Sequence, residues 1–307
     1  MAKQPVLLIH DGGVDDYLAT ILLMTIEHVQ PLGVVVTPAD CYIEPGVSAT
    51  RKILDFLGRW EVPVAESKVR GLNPFPRIWR RDSYRIDHFP LLNENESIRT
   101  PLVNESGEQF IVSTLRQSAE PVTVLCTGPL TPLSTALDMA PDIEPQIKEL
   151  VWMGGALNVK GNVNDWRESG QDGSAESNVY WDPPAAARVW ASAIPIILCP
   201  LDITNTVPCT SEFVRTLARQ RRYPVSDLAG LCYAMVMHQP YFFWDVLATT
   251  YIGRPDLFQL REWETSIVVE GRSQGRIRIE PGGRRIRALD RVDTEAFYRY
   301  LLQQWAR

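Results

Sequence analysis

The chain has 307 residues, 45% of them hydrophobic, which is enough apolar material for a packed core. Its 31 basic and 37 acidic residues leave a formal net charge of −6 at pH 7, which argues against nucleic acid or an anionic membrane as the main partner. The first ten residues lack the hydrophobic region of a signal peptide and no apolar run approaches transmembrane length, so we expect a soluble cytoplasmic protein without a membrane partner.

Strand-like apolar runs alternate with helical patterns over the first two thirds of the chain. This alternation predicts βαβ units in an α/β fold, with an open, mainly parallel, twisted sheet flanked by helices in the Rossmann-like manner. The predicted strands are Val6–Ile9, Gly33–Thr37, Val122–Cys126, Glu149–Trp152 and Ile194–Pro200. The predicted helices include Gly46–Leu57, Phe110–Gln117, Pro129–Met139 and Pro183–Trp190.

The C-terminal part of the chain has a different pattern. Ser266–Glu270 and Gly275–Glu280 alternate polar with apolar residues around a turn-like segment, which predicts a C-terminal β-hairpin exposed on one face. A closing helix is predicted over Asp293–Ala306. No linker marks a second domain, so residues 1–307 are expected to form a single domain. The segments Leu72–Glu108 and Lys160–Ala175 are predicted to be long and irregular, which is uncommon unless a loop is functional.

The five cysteines are widely spaced and lie mostly in apolar stretches. They form neither a Cys-x-x-Cys pair nor a Cys/His metal spacing, so buried free thiols in a reducing compartment are expected. They are Cys41, Cys126, Cys199, Cys209 and Cys232.

Three carboxylates directly follow the first predicted strand. Since Gly12 and Gly13 force a turn and a helical pattern begins after it, Asp11, Asp15 and Asp16 are expected to crowd together at the carboxyl edge of the sheet, where open α/β sheets bind ligands. Carboxylates held this close raise one another's pKa unless a cation neutralises them. A hard divalent cation with oxygen ligands meets this need, and Ca²⁺ is the more tolerant candidate. The alternative is that Asp15 and Asp16 only cap the helix.

Polar residues also follow the later predicted strands, at the same edge of the sheet. Thr127 precedes Gly128 and a new helix, so its carbonyl is free to turn toward a cation. Met153 ends a strand before a glycine pair that lets a ligand approach the backbone. Further candidates begin later loops and helices: Asn162, Glu176, Asn178, Trp244 and Asp245. The alternative for these carboxylates and amides is that they only cap helices or satisfy backbone amides.

These motifs, taken in order, resemble those of the nucleoside hydrolases, a family of calcium-dependent N-ribohydrolases. The segment from Asp11 to Asp16 is similar to their signature Asp-x-Gly-x-Asp-Asp. The other matching pieces are Thr127-Gly-Pro-Leu-Thr131, Met153-Gly-Gly155, Gly161-Asn-Val163, Ala175-Glu-Ser-Asn178 with Asp182-Pro183, and Leu201-Asp202. Six ordered motifs over about residues 5–255 make the resemblance specific, and it implies the fold and activity of that family.

A second set of segments resembles the purine-preferring (inosine–adenosine–guanosine) branch of the family. These segments are Pro38–Tyr42, Asn73–Arg80, Tyr180–Pro183, Thr204–Pro208 and Trp244-Asp245. Most other members carry His immediately before the last metal-binding Asp, where this chain has Trp244. The branch implies hydrolysis of purine ribonucleosides to ribose and free base, a small nucleoside as the substrate, and a homodimer.

The resemblance also implies a role for each site residue. Ca²⁺ would be held by Asp11, Asp16, the Thr127 carbonyl and Asp245, and Asp11 would act as the general base toward a metal-bound water. Asp15 would orient that water or the ribose 2′-hydroxyl. The ribose-binding set would be Asp15, Met153, Asn162, Glu176, Asn178 and Asp245.

The base would meet Asp40, Trp79 and Trp244. Stacking between the two indoles would raise the basicity of a purine, so that solvent protonates it without a histidine acid. The alternative for Trp79 is that it only anchors its loop to the core.

Three departures from the family pattern bear on metal and substrate binding. Ile9 replaces an Asp that usually begins the signature, which removes a carboxylate near the metal. Gly13 stands where the purine branch tends to have Asn, which removes one ribose contact. The loop 164–174, with Trp166, Arg167 and Glu168, is longer than usual and is placed to reshape the pocket entrance.

Three rival functions are compatible with parts of this pattern. The first is a ribohydrolase acting on pyrimidine nucleosides or on a broader set of N-ribosides. The second is a catalytically silent nucleoside- or Ca²⁺-binding protein, against which the presence of Asp11 argues. The third is a phosphotransferase with an Asp nucleophile, and the lack of an Asp-x-Asp arrangement around Asp11 and of a Gly-Lys-Ser/Thr phosphate loop argues against it.

Overall fold

Alternating strands and helices make up most of the chain, and a computed structural model describes residues 3–95, 97–164 and 168–307. The strands are β1 (Gln4–His10), β2 (Val29–Val36), β3 (Val64–Glu66), β4 (Val122–Cys126), β5 (Ile147–Met153), β6 (Val163–Asn164), β7 (Asp172–Ala175), β8 (Ile196–Cys199), β9 (Phe258–Ile267), β10 (Ile277–Ile279) and β11 (Arg284–Val292). The helices are α1 (Val14–Thr25), α2 (Ile43–Phe56), α3 (Arg77–Arg80), α4 (Asp82–Asp87), α5 (Gly107–Gln117), α6 (Thr131–Met139), α7 (Ser177–Trp181), α8 (Pro183–Trp190), α9 (Leu201–Thr204), α10 (Ser211–Arg219), α11 (Pro224–Val236), α12 (Asp245–Gly253) and α13 (Thr294–Trp305).

Nine of these strands form one twisted sheet in the order β10-β9-β11-β8-β5-β4-β1-β2-β3. The pairs from β11 through β3 are parallel, and β9 and β10 add two antiparallel pairs at one edge. Strand β1 is apolar on both sides because both faces of the sheet are covered: Val6 and Leu8 enter one hydrophobic cluster, and Leu7 and Ile9 enter the other. The predicted α/β fold with a mainly parallel sheet is confirmed.

The two clusters divide the helices between the faces of the sheet. Helix α1 packs against α11, α12 and α13 on one face, whereas α5, α6 and α8 pack together on the other. All five cysteines are buried and free, as expected. In the described part of the chain, no helix has both the length and the apolar character needed to cross a membrane.

The predicted C-terminal hairpin is present, but its strands have different limits. Ile277 pairs with Ile267, so β9 and β10 form the hairpin around the predicted turn. Strand β9 begins earlier than predicted, at Phe258, and β11 was not predicted. Five of the nine side chains of β11 are charged, and only Ile286, Ala288 and Leu289 are buried, so its apolar signal is weak. The predicted closing helix is confirmed as α13, which Asp293 caps through a bond from the Ala296 amide.

The two segments predicted to be irregular contain more regular structure than expected. The first carries α3, α4, a 3₁₀ turn at Pro90–Leu92 and the start of α5. These elements are only three to six residues long, apart from α5, so they lack a periodic apolar pattern. The second contains the short antiparallel pair β6–β7. Trp166 and Arg167, which were placed at the pocket entrance, lie outside the described residues.

Candidate active site

The segment Asp11–Asp16, here called the acidic turn, lies where the strand order of the sheet reverses direction. From β1 the chain continues to β2 and β3 on one side, and it then returns to β4 on the other side of β1. Asp11 follows the end of β1 and Thr127 follows the end of β4, whose backbones pair in parallel. The crevice at such a switch point is where open α/β sheets bind ligands.

A cavity of about 340 Å³ opens at this point. Its volume lies within the range of small-molecule sites, roughly 300–1,000 Å³. Every site residue predicted from the sequence lines it: Asp11, Asp15, Asp16, Asp40, Trp79, Thr127, Met153, Asn162, Glu176, Asn178, Trp244 and Asp245. Residues distant in the sequence therefore share one cavity.

Glycines allow the acidic turn to form a tight structure. Gly12 has φ +80°, a conformation that favours glycine, and its amide donates to His10 Nδ1 at 3.1 Å. Gly128 approaches from the β4 side so closely that a Cβ there would lie 2.8 Å from Asp11 Cβ. The loops after β1 and β4 are thus packed directly against each other around Asp11.

Asp16 is fixed by bonds from both loops. Its Oδ2 accepts from the Gly13 amide at 2.8 Å, and its Oδ1 accepts from the Thr127 hydroxyl at 2.5 Å. The first bond closes the N-terminal turn of α1, so the predicted capping role of Asp16 is present. Asp16 is also buried beside Asp11, so capping does not account for the whole of its environment.

Asp15 connects the acidic turn to helix α12. Its Oδ2 accepts from the backbone amides of Asp245 at 2.6 Å and Val246 at 3.1 Å, and its Oδ1 accepts from the Tyr233 hydroxyl at 3.1 Å. Asp15 therefore caps α12, a helix distant in sequence, rather than its own helix. Because Asp245 is the first residue of α12, this cap places the Asp245 carboxylate beside the acidic turn.

The carboxylates destabilise one another's charged forms. Burial raises the pKa of Asp11 well above its ordinary value, and the charge of Asp16 and a hydrogen bond with its carboxyl raise it further. Burial, followed by the charges of Asp16 and Asp15, raises the pKa of Asp245 in the same direction. Burial raises the pKa of Asp15 to about 7, although its bonds from Val246, Asp245 and Tyr233 oppose the shift. These four carboxylates, Asp11, Asp15, Asp16 and Asp245, form an acidic cluster that needs protons or a cation to neutralise its charge.

The donor set fits a hard cation in its chemistry. Asp11 Oδ2 is buried and has no hydrogen-bond partner, which is costly unless a ligand meets it. The nearby groups are carboxylate and carbonyl oxygens, the ligands that Ca²⁺ prefers. Among the described residues, no three His, Cys, Asp or Glu side chains form a ready-made metal site. To bind a cation, the carboxylates would have to come closer together, and the Thr127 carbonyl would have to join them as a ligand.

The predicted residues Glu176 and Asn178 are held in place at the start of α7. Glu176 caps this helix through bonds from the Asn178 and Val179 amides, and it also accepts from the Gly155 amide at 2.8 Å. Asn178 Nδ2 donates to the carbonyls of Thr127 and Met153, at 3.0 and 3.1 Å. The predicted alternative role, satisfying backbone groups, is therefore real for both residues, and it fixes them at the cavity wall.

The side-chain amide of Asn162 is oriented by Ser177. Its Oδ1 accepts from the amide and the hydroxyl of Ser177, at 2.8 and 2.9 Å. This arrangement sets the orientation of the side chain and leaves Nδ2 as the group available to a ligand in the cavity.

Two separate aromatic groups line the cavity. Trp79 contacts Phe75 edge-on, with ring centroids 6.1 Å apart, whereas Trp244 contacts Tyr241 at 4.6 Å. Trp79 is half-buried and joins Phe75 and Trp181 in a small cluster apart from the two main cores. The anchoring alternative for Trp79 is thus present together with its exposure to the cavity.

The departures Ile9 and Gly13 have clear structural consequences. Ile9 is fully buried in the hydrophobic cluster on one face of the sheet, so no carboxylate stands at that position. A Cβ at Gly13 would lie 2.7 Å from Asp40 Oδ2 and 3.3 Å from Asp16 Oδ2. The missing side chain therefore makes room for Asp40 to approach the acidic turn.

Sequence reasoning missed two tyrosines of the site. Tyr233 bonds Asp15 from within the apolar helix α11, where its sequence pattern is that of a core residue. Tyr241 lines the cavity, and burial together with the charges of Asp15 and Asp245 raises its pKa well above the ordinary value, so its hydroxyl remains a donor. Its place three residues before Trp244 was the only available signal.

Comparison with known proteins gives consistent results. A sequence profile of the inosine-uridine preferring nucleoside hydrolases matches residues 6–299. The pyrimidine-specific ribonucleoside hydrolase RihA of Escherichia fergusonii is 30% identical over 209 residues, which are 66% of this chain and 61% of that protein. An uncharacterized protein of Schizosaccharomyces pombe is 29% identical over 222 residues, 70% of this chain and 65% of that protein. These two alignments span less than two thirds of the relatives' own lengths.

Solved structures extend the likeness to nearly the whole chain. The inosine-uridine preferring nucleoside hydrolase from Bacillus anthracis is 41% identical, with a TM-score of 0.95 over 99% of both chains. A purine-preferring ribonucleoside hydrolase from Gardnerella vaginalis shares the fold, with a TM-score of 0.81, 22% identity, and coverage of 99% of this chain and 98% of that one. This chain belongs to the inosine-uridine preferring nucleoside hydrolase family.

Proposed function

We propose that the protein catalyses the Ca²⁺-dependent hydrolysis of the N-glycosidic bond of purine ribonucleosides, releasing ribose and the free base. The observation that carries this proposal is the unpartnered Asp11 Oδ2, which lies within a buried acidic cluster in the same cavity as two aromatic groups. Carboxylates are suitable ligands for a cation and acceptors for sugar hydroxyls, whereas aromatic side chains can stack on a nucleobase.

The proposed cation ligands are Asp11, Asp16, Asp245 and the carbonyl oxygen of Thr127. Ca²⁺ accepts about six to eight oxygen ligands, so water and ribose hydroxyls would complete the set. The cation, when bound, would neutralise the cluster and increase the acidity of a bound water. Asn178 already holds the Thr127 carbonyl at 3.0 Å, which fixes its position near the acidic turn.

In the proposed reaction, Asp11 takes the proton of the attacking water. Its Oδ2 is buried without a hydrogen-bond partner, and Gly128 packs against its Cβ, so its position is restricted. Cleavage of the glycosidic bond develops positive charge on the ribose ring, which the surrounding carboxylates stabilise. Attack from the face opposite the base would invert the anomeric carbon.

We assign the ribose hydroxyls to side chains whose positions the backbone fixes. Asn162, Glu176 and Asn178 are held by bonds to or from α7 and its neighbours, and Asp245 is held by Asp15. Met153 would lie under the sugar. Asp15 has bonds to both oxygens and acts mainly by placing Asp245, with its remaining lone pairs available to water or the 2′-hydroxyl.

For the leaving base, we propose contact with Asp40 and stacking against Trp79 and Trp244. Neither indole can donate a proton as an acid, so stacking would favour protonation of the purine by solvent. The described cavity lining contains no histidine. This fits leaving-group activation by aromatic contact rather than by a histidine acid.

A broader base preference is the second candidate. The relatives differ in the bases that their names report: inosine and uridine for the Bacillus anthracis protein, pyrimidines for RihA and purines for the Gardnerella vaginalis protein. Initial rates with inosine, guanosine, adenosine, cytidine and uridine would separate the candidates. A preference of at least tenfold for purines supports the first, and equal or greater rates with cytidine or uridine favour the second.

The deciding experiment for the reaction itself is the release of free hypoxanthine from inosine by chelated and by Ca²⁺-replete protein. We expect activity only with the cation. We further propose a homodimer and a cytoplasmic location, the latter supported by five buried, free cysteines. Light scattering and cell fractionation would test these two proposals.

A further inference from the structure

The two ends of the segment that carries Phe75 and Trp79 are attached to different parts of the fold. We define residues 70–81 as the pocket wall; its two aromatic rings line the cavity but belong to a small hydrophobic cluster separate from the two main cores. At its C-terminal end the wall leads into α4, where Ile86 is fully buried. Its N-terminal end is held instead by contacts with α7 and with the C-terminal hairpin.

Asn73 makes most of these contacts. Its backbone amide donates to the Trp181 carbonyl at 2.8 Å, and its Nδ2 donates to the Tyr180 carbonyl at 2.7 Å and to Gln274 Oε1 at 3.2 Å. Both Nδ2 hydrogens are therefore used. Gly71 packs against Trp181 so closely that a Cβ would lie 2.3 Å from the indole, which keeps the wall directly on α7.

The hairpin turn, residues 270–276, lies against the same end of α7. Gln274 Nε2 donates to the Val269 carbonyl at 2.9 Å, which holds its oxygen toward Asn73. Gly275 touches the backbone of Tyr180, where a Cβ would lie 2.6 Å from Cα. Arg272 adds bonds to the start of β7 and to the loop before it, since its carbonyl accepts from the Asp172 amide at 2.9 Å and its Nε donates to the Gly170 carbonyl at 3.2 Å.

We propose that Asn73 and Gln274 are positioning residues, through which the C-terminal hairpin holds the pocket wall in place for binding the base. The hairpin lines no part of the cavity in the described structure, so its effect must pass through this amide–amide bond and α7. The link explains why two amides 201 residues apart are oriented toward each other. The catalytic part of this inference rests on the proposed function, whereas the mechanical part does not.

The test compares Gln274→Met, which removes both polar groups at similar size, with Gln274→Glu, which keeps an acceptor for Asn73. Gln259→Met is the matched control, because Gln259 is an exposed residue of β9 without a described side-chain hydrogen bond. Trypsin is the first probe, since the pocket wall contains Arg70, Arg77, Arg80 and Arg81. We expect cleavage at these arginines to be about three- to tenfold faster in Gln274→Met, and near the unmodified rate in Gln274→Glu and in the control.

The second probe is kinetic. We expect Gln274→Met to raise KM for inosine by about three- to tenfold while the inhibition constant of free ribose stays unchanged, because ribose does not use the wall. Unchanged trypsin sensitivity in Gln274→Met would overturn the mechanical link. Faster cleavage with an unchanged KM for inosine would overturn the role of the wall in base binding. Faster cleavage in a protein that hydrolyses no N-riboside would instead refute the proposed function and leave the link supported.

Discussion

The backbone amide of Asp245 donates a 2.6 Å hydrogen bond to Asp15 Oδ2, although the two residues are 230 positions apart. This bond joins the turn after the first strand to the first residue of α12. A residue of α1 thus caps α12, a helix distant in the sequence, and this cap brings Asp245 to Asp11, Asp15 and Asp16. The geometry of these four carboxylates therefore depends on how α12 packs against α1.

Replacing Asp15 by Asn should weaken cation binding more than an ordinary cap change would. The amide has one acceptor oxygen, so it keeps the bonds from the Asp245 and Val246 amides only by turning its NH₂ toward the Tyr233 hydroxyl, and it lacks the negative charge that strengthens all three bonds. We expect a loss of about 1–2 kcal/mol in unfolding free energy, measured by denaturant titration, and a weaker Ca²⁺ affinity measured by calorimetry. Tyr233→Phe removes only one of the three bonds and should have the smaller effect on both. Equal effects in the two variants would contradict this account.

Replacing Asp11 by Asn tests the proposed general base. The amide keeps an oxygen for the cation but cannot take a proton from water. Turnover of inosine should fall by a factor of roughly 10² to 10⁴, while KM changes much less. Steady-state kinetics with Ca²⁺ in excess give both values, and near-normal turnover would remove Asp11 from the proposed mechanism.

Replacing Trp244 by Ala tests leaving-group activation by stacking. The loss should be far larger for inosine or guanosine than for p-nitrophenyl riboside, whose leaving group needs no proton. Stacking of a base on an aromatic side chain is worth about 1–3 kcal/mol, which limits the part of the loss that binding alone explains. Equal losses on the two kinds of substrate would mean that Trp244 only packs against Tyr241 and Phe242.

The stability of the metal-free protein should fall as the pH rises. Carboxyl groups with raised pKa values bind more protons in the folded than in the unfolded state, so folding is favoured at low pH and this contribution is lost as the groups ionise. For Asp15 the window runs from its ordinary pKa of 3.8 to about 7, and the raised pKa values of Asp11 and Asp245 act in the same direction. One pKa unit corresponds to about 1.4 kcal/mol.

Thermal unfolding after chelation should therefore give a lower midpoint at pH 7.5 than at pH 5.5, and added Ca²⁺ should reduce or reverse the difference. Asp15→Asn provides the control, because removing this group should flatten the dependence. A metal-free protein that becomes more stable across the same interval would show that other groups dominate the linkage.

Replacing Gly13 by Ala should disturb Asp40. The added Cβ would lie 2.7 Å from Asp40 Oδ2, which is too close for an unshifted contact. We expect a loss of about 1–3 kcal/mol in unfolding free energy. Gly230→Ala is the matched control, since Gly230 lies within α11 and a Cβ there would meet only Leu217 of α10, at 3.7 Å, so this change should leave stability equal or higher.

The sequence predicted the centre of the sheet well and its C-terminal edge poorly, for a physical reason. Strands β1, β4 and β5 are buried on both faces, so their continuous apolar runs are easily recognised. Strand β11 pairs with β8 and β9 but carries charged side chains on its exposed positions, which conceal it. Helices α10 and α11 were likewise not assigned.

For the candidate site, local order along the chain was informative and contacts across the chain were not. The turn Asp11–Asp16 has its own signature, and each later motif follows a recognisable strand or begins a helix. The bonds that orient these residues join distant segments: Asp15 with Tyr233 and Asp245, and Asn73 with Gln274. No local pattern encodes such pairs, so only the folded structure shows that Asp15 caps α12 rather than α1.

Both outermost strands of the sheet, β3 and β10, are only three residues long. At one edge, residues 101–103 lie along Val64 and bond its backbone, and at the other, Arg278 and Glu280 form an ion pair. Such edges offer little template for adding a strand from another chain. We therefore expect the protein to resist fibrillar association in concentrated solution, and we expect a dimer to use helix and loop surfaces rather than to extend the sheet.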